Sequence, residues 1–468
     1  MFDIRRAAWM GAILLAAACG GGRPAVPAPG PATPVPPPGP SGDARGRPID
    51  NGVALATFDS AWERIAHTHY DTTFRGVDWD SVREALRPRA AEASTHEQLR
   101  DVIREMLARL GESHYSVIPG ELAGAVESGA REDGGAGDIG IDLRIADSAV
   151  VVARIDPGGP AAAAGVRLGW IVDAIDDRIL GEEIRRLAEL EGTSGYRLAL
   201  TQFLWSVTGA LEGSPGSNVR LSVRPGDDRT RSIELVRRTR PGQPVSFGNL
   251  PMLVADLDYR VLPAGERCVG VIRFNVWMTA IAPSFDRAVD AVRDCQGVII
   301  DLRGNPGGVA GMVMGVAGHF MNERRPLGVL KTRSGELRLV ANPRTVNSGG
   351  QTVEPYSGPV ALLIDALTVS TSEIFAAGLQ AAGRARVFGQ TSAGQALPAM
   401  AIRLPNGDVL MHVVADLTVP DGRRVEGEGV APDVLVPLSR QDLLEGRDAV
   451  LESALDWILS TGSPPENR

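Results

Sequence analysis

Ser370 lies between two patterns that together expose a hydroxyl. Before it, Pro359-Val-Ala-Leu-Leu-Ile364 is a short apolar run, the pattern of a buried strand. After it, Ile374-Phe-Ala-Ala-Gly-Leu-Gln380 reads as a helix. The intervening Thr368-Val-Ser-Thr-Ser-Glu373 is then a tight strand-to-helix connection, which sets a serine oxygen beside the free N–H groups of a helix N-terminus. An ordinary helix cap uses the same residue types. A serine hydroxyl also needs a base to act as a nucleophile. His114 is the candidate. It follows Ser113 on a loop after Gly111, which reads as a helix stop, and imidazole titrates near neutrality. A third stretch, Arg303-Gly-Asn-Pro-Gly307-Gly308, follows the apolar run Gly297-Val-Ile-Ile-Asp301. Such a glycine turn leaves backbone N–H groups free to face a ligand. No GKS or GKT follows, so it is not a phosphate-binding loop.

Other chemistries fit poorly. The six histidines are His67, His69, His96, His114, His319 and His412. His67 and His69 point to different faces of a predicted helix, and no spacing resembles a zinc site. No metal or cofactor is expected. The net charge of −9 argues against a nucleic-acid partner. The single lysine is Lys331, and the other basic residues are arginines. A chain of 468 residues, 44% apolar and 22% charged, has room for two or three globular domains.

The elements that must position these residues are readable in order. Arg5-Arg6 precede an apolar run, Ala7 to Ala18, that is too short to cross a bilayer and fits a secretory segment. Leu15-Ala-Ala-Ala18-Cys19 resembles a bacterial lipoprotein signal, with its leucine one position further from the cysteine than usual. Residues 1–18 are read as a signal peptide, Cys19 as the lipidation site, and 19–48 as a Gly/Pro-rich tether that cannot form a core. Cys268 and Cys295 remain. In an exported protein they invite a disulfide, two buried thiols being the alternative. Each precedes a predicted strand of one βαβ unit, which puts both at one sheet edge. Residues 49–125 read as a helical region. Ala54, Phe58, Trp62 and Ile65 recur at helical spacing, and Ser81-Val-Arg-Glu84 and Thr95-His-Glu-Gln98 read as capping boxes.

Residues 133–240 resemble a bacterial PDZ domain. A Gly-rich turn runs into Ile139-Gly140-Ile141, and Gly158-Gly-Pro-Ala-Ala-Ala-Ala-Gly165 with Leu168-Gly-Trp170 follows the PDZ pattern, although Trp170 stands where that pattern has Asp. The resemblance implies an extended peptide bound by strand addition near Gly137, Ile139, Gly140 and Ile141. The whole series is "LGESHY", this module, "VIIDLRGNPGG", "VSTSEIFAAGLQAAGRARVFGQTSAG" and "VEGEGVAPDV". It resembles the C-terminal processing peptidase/tricorn family of serine peptidases over residues 50–440.

The implied fold is α/β: a ββα-repeat, crotonase/Clp-like catalytic core (241–462) with an N-terminal helical bundle and an inserted PDZ-like domain. One branch of that family pairs its serine with a lysine, whose position here is Gln395. The tricorn-like branch instead matches Ser113-His114 and a glutamate, Glu426 or Glu428. The resemblance thus implies a serine endopeptidase with Ser370 as nucleophile, His114 as base, Ser113 and Glu426 as orienting groups, and an oxyanion hole from Gly307, Gly308 and Thr371. Its partners would be protein or peptide substrates and, through the lipid anchor, a membrane. The location would be extracytoplasmic, at the periplasmic face of the outer membrane. A non-catalytic peptide-binding scaffold and an apolar-ligand carrier are the competing readings.

Overall fold

The strands Gly297–Asp301 and Val360–Ile364 are buried along their whole length, as expected where helices cover both faces of a sheet. In the computed structural model, which describes residues 46–121, 137–193, 195–226, 229–246, 248–250, 252–265 and 267–461, they lie side by side in parallel. The sheet containing them has six strands, in the order Leu257–Ala264, Arg267–Phe274, Gly297–Asp301, Val360–Ile364, Arg386–Gly389 and Val434–Leu435. The first pair is antiparallel and the rest are parallel.

Side-chain alternation sorts the residues between two layers. Val298 and Ile300 pack with Phe285, Val289 and Phe375 of the helices Ala282–Val292 and Thr371–Ala381. Ile299 points the other way, onto Val450, Ala454 and Ile458 of the helix Ala449–Thr461. Cys268 and Cys295 are joined by a disulfide, with Cα atoms 4.7 Å apart. Cys268 lies inside the strand Arg267–Phe274 and not ahead of it.

The helices Asn51–Thr68, Trp79–Glu92 and His96–Ala108 bury Phe58, Ile65, Ile103 and Met106 against one another and against Leu410. Thr95 caps the third helix, accepting the Gln98 N–H at 3.3 Å. The second opens earlier than read from sequence. Asp78 is its cap and accepts the Ser81 N–H, so Ser81 lies inside the first turn. His96, at the start of the third helix, and His412, in the strand Val409–Val413, are both buried. His69 is also buried, with its Nε2 3.1 Å from Glu112.

Gly137–Asp138 pairs with Arg238–Thr239 in a two-stranded sheet. Between them in sequence, residues 141–236 carry a separate six-stranded antiparallel sheet in which Ile141–Ala146 is an edge strand, paired among the described residues only to Ala149–Ile155. The helix Tyr196–Leu211 buries Leu204 and Val207 with Leu143 and Val150 of that sheet. Cys19 and the segments 1–18 and 19–45 lie outside the described residues. No helix among the described residues is long and apolar enough to cross a membrane.

Candidate functional site

Three neighbouring parallel strands end on one side of the central sheet, where ligands bind in open α/β sheets. Gly297–Asp301 leads into the glycine turn, Val360–Ile364 into Ser370, and Arg386–Gly389 into residues 390–396. Ser370 is half-buried and is the N-cap of the helix Thr371–Ala381. The capping and chemical readings therefore describe the same residue. Its φ of 57° is left-handed, a conformation that a non-glycine residue keeps only when its surroundings over-determine it. Those surroundings are specific. The Ser370 N–H donates to the Gln395 carbonyl at 2.9 Å and to Glu373 Oε2 at 3.0 Å.

The glycine turn folds against this serine. A Cβ on Gly307 would lie 2.7 Å from Ser370 Cβ and 2.9 Å from Thr371 N, so only glycine allows the approach. Gly307 departs from the sequence reading, because its N–H already donates to Asn305 Oδ1 at 3.0 Å. Its carbonyl accepts the Trp277 N–H, and Trp277 Nε1 donates to Ser372 Oγ at 2.8 Å. Gly308 and Thr371 fit the donor role. Among the described residues neither N–H is paired with an acceptor, and Thr371 Oγ1 ties the two together by donating to the Gly308 carbonyl at 2.8 Å.

His114 arrives from far away in sequence. The strand Ser116–Ile118 pairs antiparallel with Val409–Val413, so the loop 111–115 is carried to the core. His114 also has a left-handed φ, 61°. Its Nδ1 is 2.8 Å from Ser113 Oγ. Ser113 Oγ donates to Glu426 Oε2 at 2.9 Å, and the Ser113 N–H donates to Glu426 Oε1 at 2.9 Å. With its proton given to the carboxylate, Ser113 Oγ accepts from Nδ1–H, which leaves the lone pair of His114 on Nε2. Desolvation pushes the imidazole down to about 4 and the Glu426 carboxyl up from its ordinary value. Glu426 is buried against Ser113, whereas Glu428 is exposed.

Ser370 Oγ and His114 are not hydrogen-bonded to each other here, but adjacent residues hold them. The Gln395 carbonyl takes the Ser370 N–H, and the next N–H, of Ala396, donates to Glu426 Oε2 at 2.9 Å. Gln395 itself is buried, with its side-chain Nε2 unpaired among the described residues. Lys331 is exposed on the strand Arg325–Thr332. Reading by motif missed Glu373, which holds Ser370 and residues 392–395. The signal for it was present as Ser370-x-x-Glu373, a capping-box spacing.

The backbone of the residues read as a peptide-binding loop is partly paired already, Ile141 on one side only. Gly137 exchanges backbone hydrogen bonds with Gly213 at 2.8 and 3.0 Å. The Ile139 and Gly140 carbonyls accept from Ala161 and Asp156, and Ile141 pairs with Ile155. A cavity of about 420 Å³ opens further along, between Arg144 and Ile145 on the edge strand, Tyr196 and Arg197 on the helix, and Thr391 to Ala393 of the core.

Residues 268–436 match peptidase family S41, and residues 55–108 match the tricorn protease C1 domain. The chain is 27% identical over 418 residues to the chloroplastic C-terminal processing peptidase of Tetradesmus obliquus, spanning 85% of this chain and 80% of that protein. It is 27% identical over 415 residues to tricorn protease homolog 2 of Streptomyces coelicolor, spanning 86% of this chain but 32% of that one. The solved photosystem II D1 C-terminal processing protease superposes with a TM-score of 0.56 at 22% identity, over 88% of this chain and 98% of that one, so the mixed α/β fold is shared. The S41 match lies on the very strands and turns that carry Gly307, Gly308 and Ser370, so the chain carries a peptidase family S41 domain with a tricorn C1 domain ahead of it, and it is similar over most of its length to proteins named C-terminal processing peptidase and tricorn protease homolog.

Proposed function

We propose that the chain is an extracytoplasmic serine endopeptidase in which Ser370 attacks the peptide carbonyl and His114 is the general base. The observation that carries this reading is the Glu426–Ser113–His114 relay, closed between residues 313 apart and set beside the loop that holds Ser370. In the mechanism, Nε2 of His114 takes the Ser370 proton during attack and returns it to the leaving amine. Glu426 and Ser113 fix the imidazole tautomer and ring angle. The N–H groups of Gly308 and Thr371 stabilise the oxyanion, each such donor being worth ~3 kcal/mol in the transition state. Water then hydrolyses the acyl-enzyme by the reverse use of the same base.

The domain assignment follows. Residues 49–125 are the helical region, 133–240 a PDZ-like domain and 241–462 a ββα-repeat peptidase core. The open edge strand Ile141–Ala146 and the helix Tyr196–Leu211 frame a groove that leads to residues 391–393, so a peptide added to that edge reaches the site. Cys19 is the lipid attachment point, and residues 19–48 tether the body to a membrane. The experiment is labelling by a fluorophosphonate probe together with cleavage of a peptide library, using Ser370→Ala as the control. A folded wild type that neither labels nor cleaves would favour the peptide-binding scaffold.

A further inference from the structure

Glu373 is a buried carboxylate that no step of this mechanism uses. It sits in the first turn of the helix Thr371–Ala381, with 0% of its surface exposed. Oε1 accepts the Ser392 hydroxyl at 2.5 Å and the Gly394 N–H at 2.7 Å. Oε2 accepts the Gln395 N–H at 2.9 Å and the Ser370 N–H at 3.0 Å. One side chain thus binds the backbone of the candidate nucleophile to residues 392–395. The next residue, Ala396, anchors Glu426. The nearest charged or titratable groups on the packed elements reach Glu373 only through others. Arg197 donates to the Ser392 carbonyl at 3.3 Å. Glu426 meets Ala396, and His114 lies beyond Ser113. No cation pairs with Glu373 among its hydrogen-bond partners.

We propose that Glu373 is a positioning residue whose ionised carboxylate clamps residues 392–395 onto the Ser370 backbone, so that its deprotonation switches the peptidase on. The proposal rests on Ser370 being the nucleophile. An ionised carboxylate is a pure acceptor, and here its two oxygens meet two donors each. Protonation turns one oxygen into a donor. On Oε2 it faces only the Gln395 and Ser370 N–H groups, so one of those bonds must break. On Oε1 it must reverse the Ser392 hydroxyl, which already accepts the Val430 N–H at 2.6 Å, so that in either case the hold on Ser370 and residues 392–395 weakens. The Ser370 peptide, held at a φ of 57°, then loses part of what fixes it. Burial without a cation disfavours the charged form and pushes this carboxyl up to about 7, against the four hydrogen bonds that pull it down. The transition therefore falls near neutral pH, above that of His114.

The test is kcat and KM measured separately against pH for wild type, Glu373→Gln and Glu373→Asp, with fluorophosphonate labelling of each. Wild-type kcat should fall tenfold per pH unit below a limb near 7. Glu373→Gln, a near-isosteric mimic of the protonated acid, should lose roughly tenfold or more in kcat at high pH, keep KM, and lose that limb. Glu373→Asp keeps an ionisable group, so it should retain a displaced limb with partial activity. A Gln variant with wild-type kcat, or with the same limb intact, overturns the proposal while leaving Ser370 in place. If Glu373→Gln fails to fold, an Asp variant with an unshifted wild-type profile overturns it instead. A wild type that does not label removes the Ser370 reading itself, and the clamp with it.

Discussion

At the scale of single residues, His114 is held by one hydrogen bond from its Nδ1 and by a left-handed backbone. Ser370→Ala and His114→Ala should each abolish turnover, and the double variant should be little worse than either, because the two act as one unit. Additive losses in kcat/KM would refute that unit. Glu426→Gln should cost less, since it orients the imidazole without receiving its proton. The pH sign follows from desolvation. A base pushed down to about 4 stays neutral, and so competent, throughout the range above that value. In Glu373→Gln, which lacks the carboxyl expected to titrate near 7, activity still lost in a limb near the ordinary histidine value of ~6.5 would mean that the imidazole is not desolvated in solution. Gln395→Ala should keep most activity, because its contributions to Ser370 and Glu373 come from backbone groups and its buried Nε2 has no partner to lose. A loss in kcat/KM as deep as that of Ser370→Ala would make Gln395 part of the chemistry. Ser370, His114 and Glu426 could be singled out because motif residue types carry them, and the structure brings Ser113, His114 and Glu426 together. The misreading of Gly307 has a local cause: which N–H a neighbouring Asn305 side chain accepts is decided by a rotamer.

At the scale of elements, the short buried strands and their helices follow from apolar runs, and the site from their shared carboxyl ends. The packing of the glycine turn on the helix start is a consequence of strand order. Motif reading could place each turn but not their contact. That contact makes a sharp prediction. Gly307→Ala adds a Cβ 2.7 Å from Ser370 Cβ at a φ of 92°, where a side chain is also strained. Either Ser370 or the turn must move. A shift approaching 1 Å at the reacting atom costs on the order of 10²-fold. The variant should fold, keep KM within a few-fold, and lose kcat and probe labelling together. Normal labelling with normal kcat would show that the turn yields without disturbing the serine. The helix opening at Asp78 instead of Ser81 is a smaller lesson. Asp78 and Ser81 both suit a cap, and the burial of Trp79 at 4% exposure favours the earlier start.

At the scale of the whole molecule, the long-range joins were the least legible. The pairing of Ser116 with Met411 and the ion pairs between sheets depend on three-dimensional neighbours that local periodicity does not encode. Two such pairs dock residues 137–239 on the core. Arg273 donates to Asp142 at 3.1 Å, and Arg144 Nε donates to Asp365 Oδ2 at 2.6 Å. The second lies closer to the chemistry. Asp365 Oδ1 accepts the Gly304 N–H at 2.9 Å and the Leu367 N–H at 3.0 Å, so this carboxylate joins the edge strand, the glycine turn and the approach to Ser370. Its side chain and that of Arg144 are 9% and 12% exposed. Removing one partner of such a pair strands a buried charge, at a cost of roughly 3 kcal/mol. Arg144→Ala should therefore lower the thermal midpoint and kcat/KM together. Adding Asp365→Asn should recover much of both losses, because the amide still accepts from Gly304 and Leu367 without a charge to compensate. Recovery of stability without recovery of kcat/KM would mean that the guanidinium acts on the site directly, through the cavity it lines, and not through Asp365. No loss in Arg144→Ala would mean that the Arg273–Asp142 contact, the Arg440 hydrogen bonds to Asp147, Gly169 and Pro225, and the apolar packing carry the docking without it.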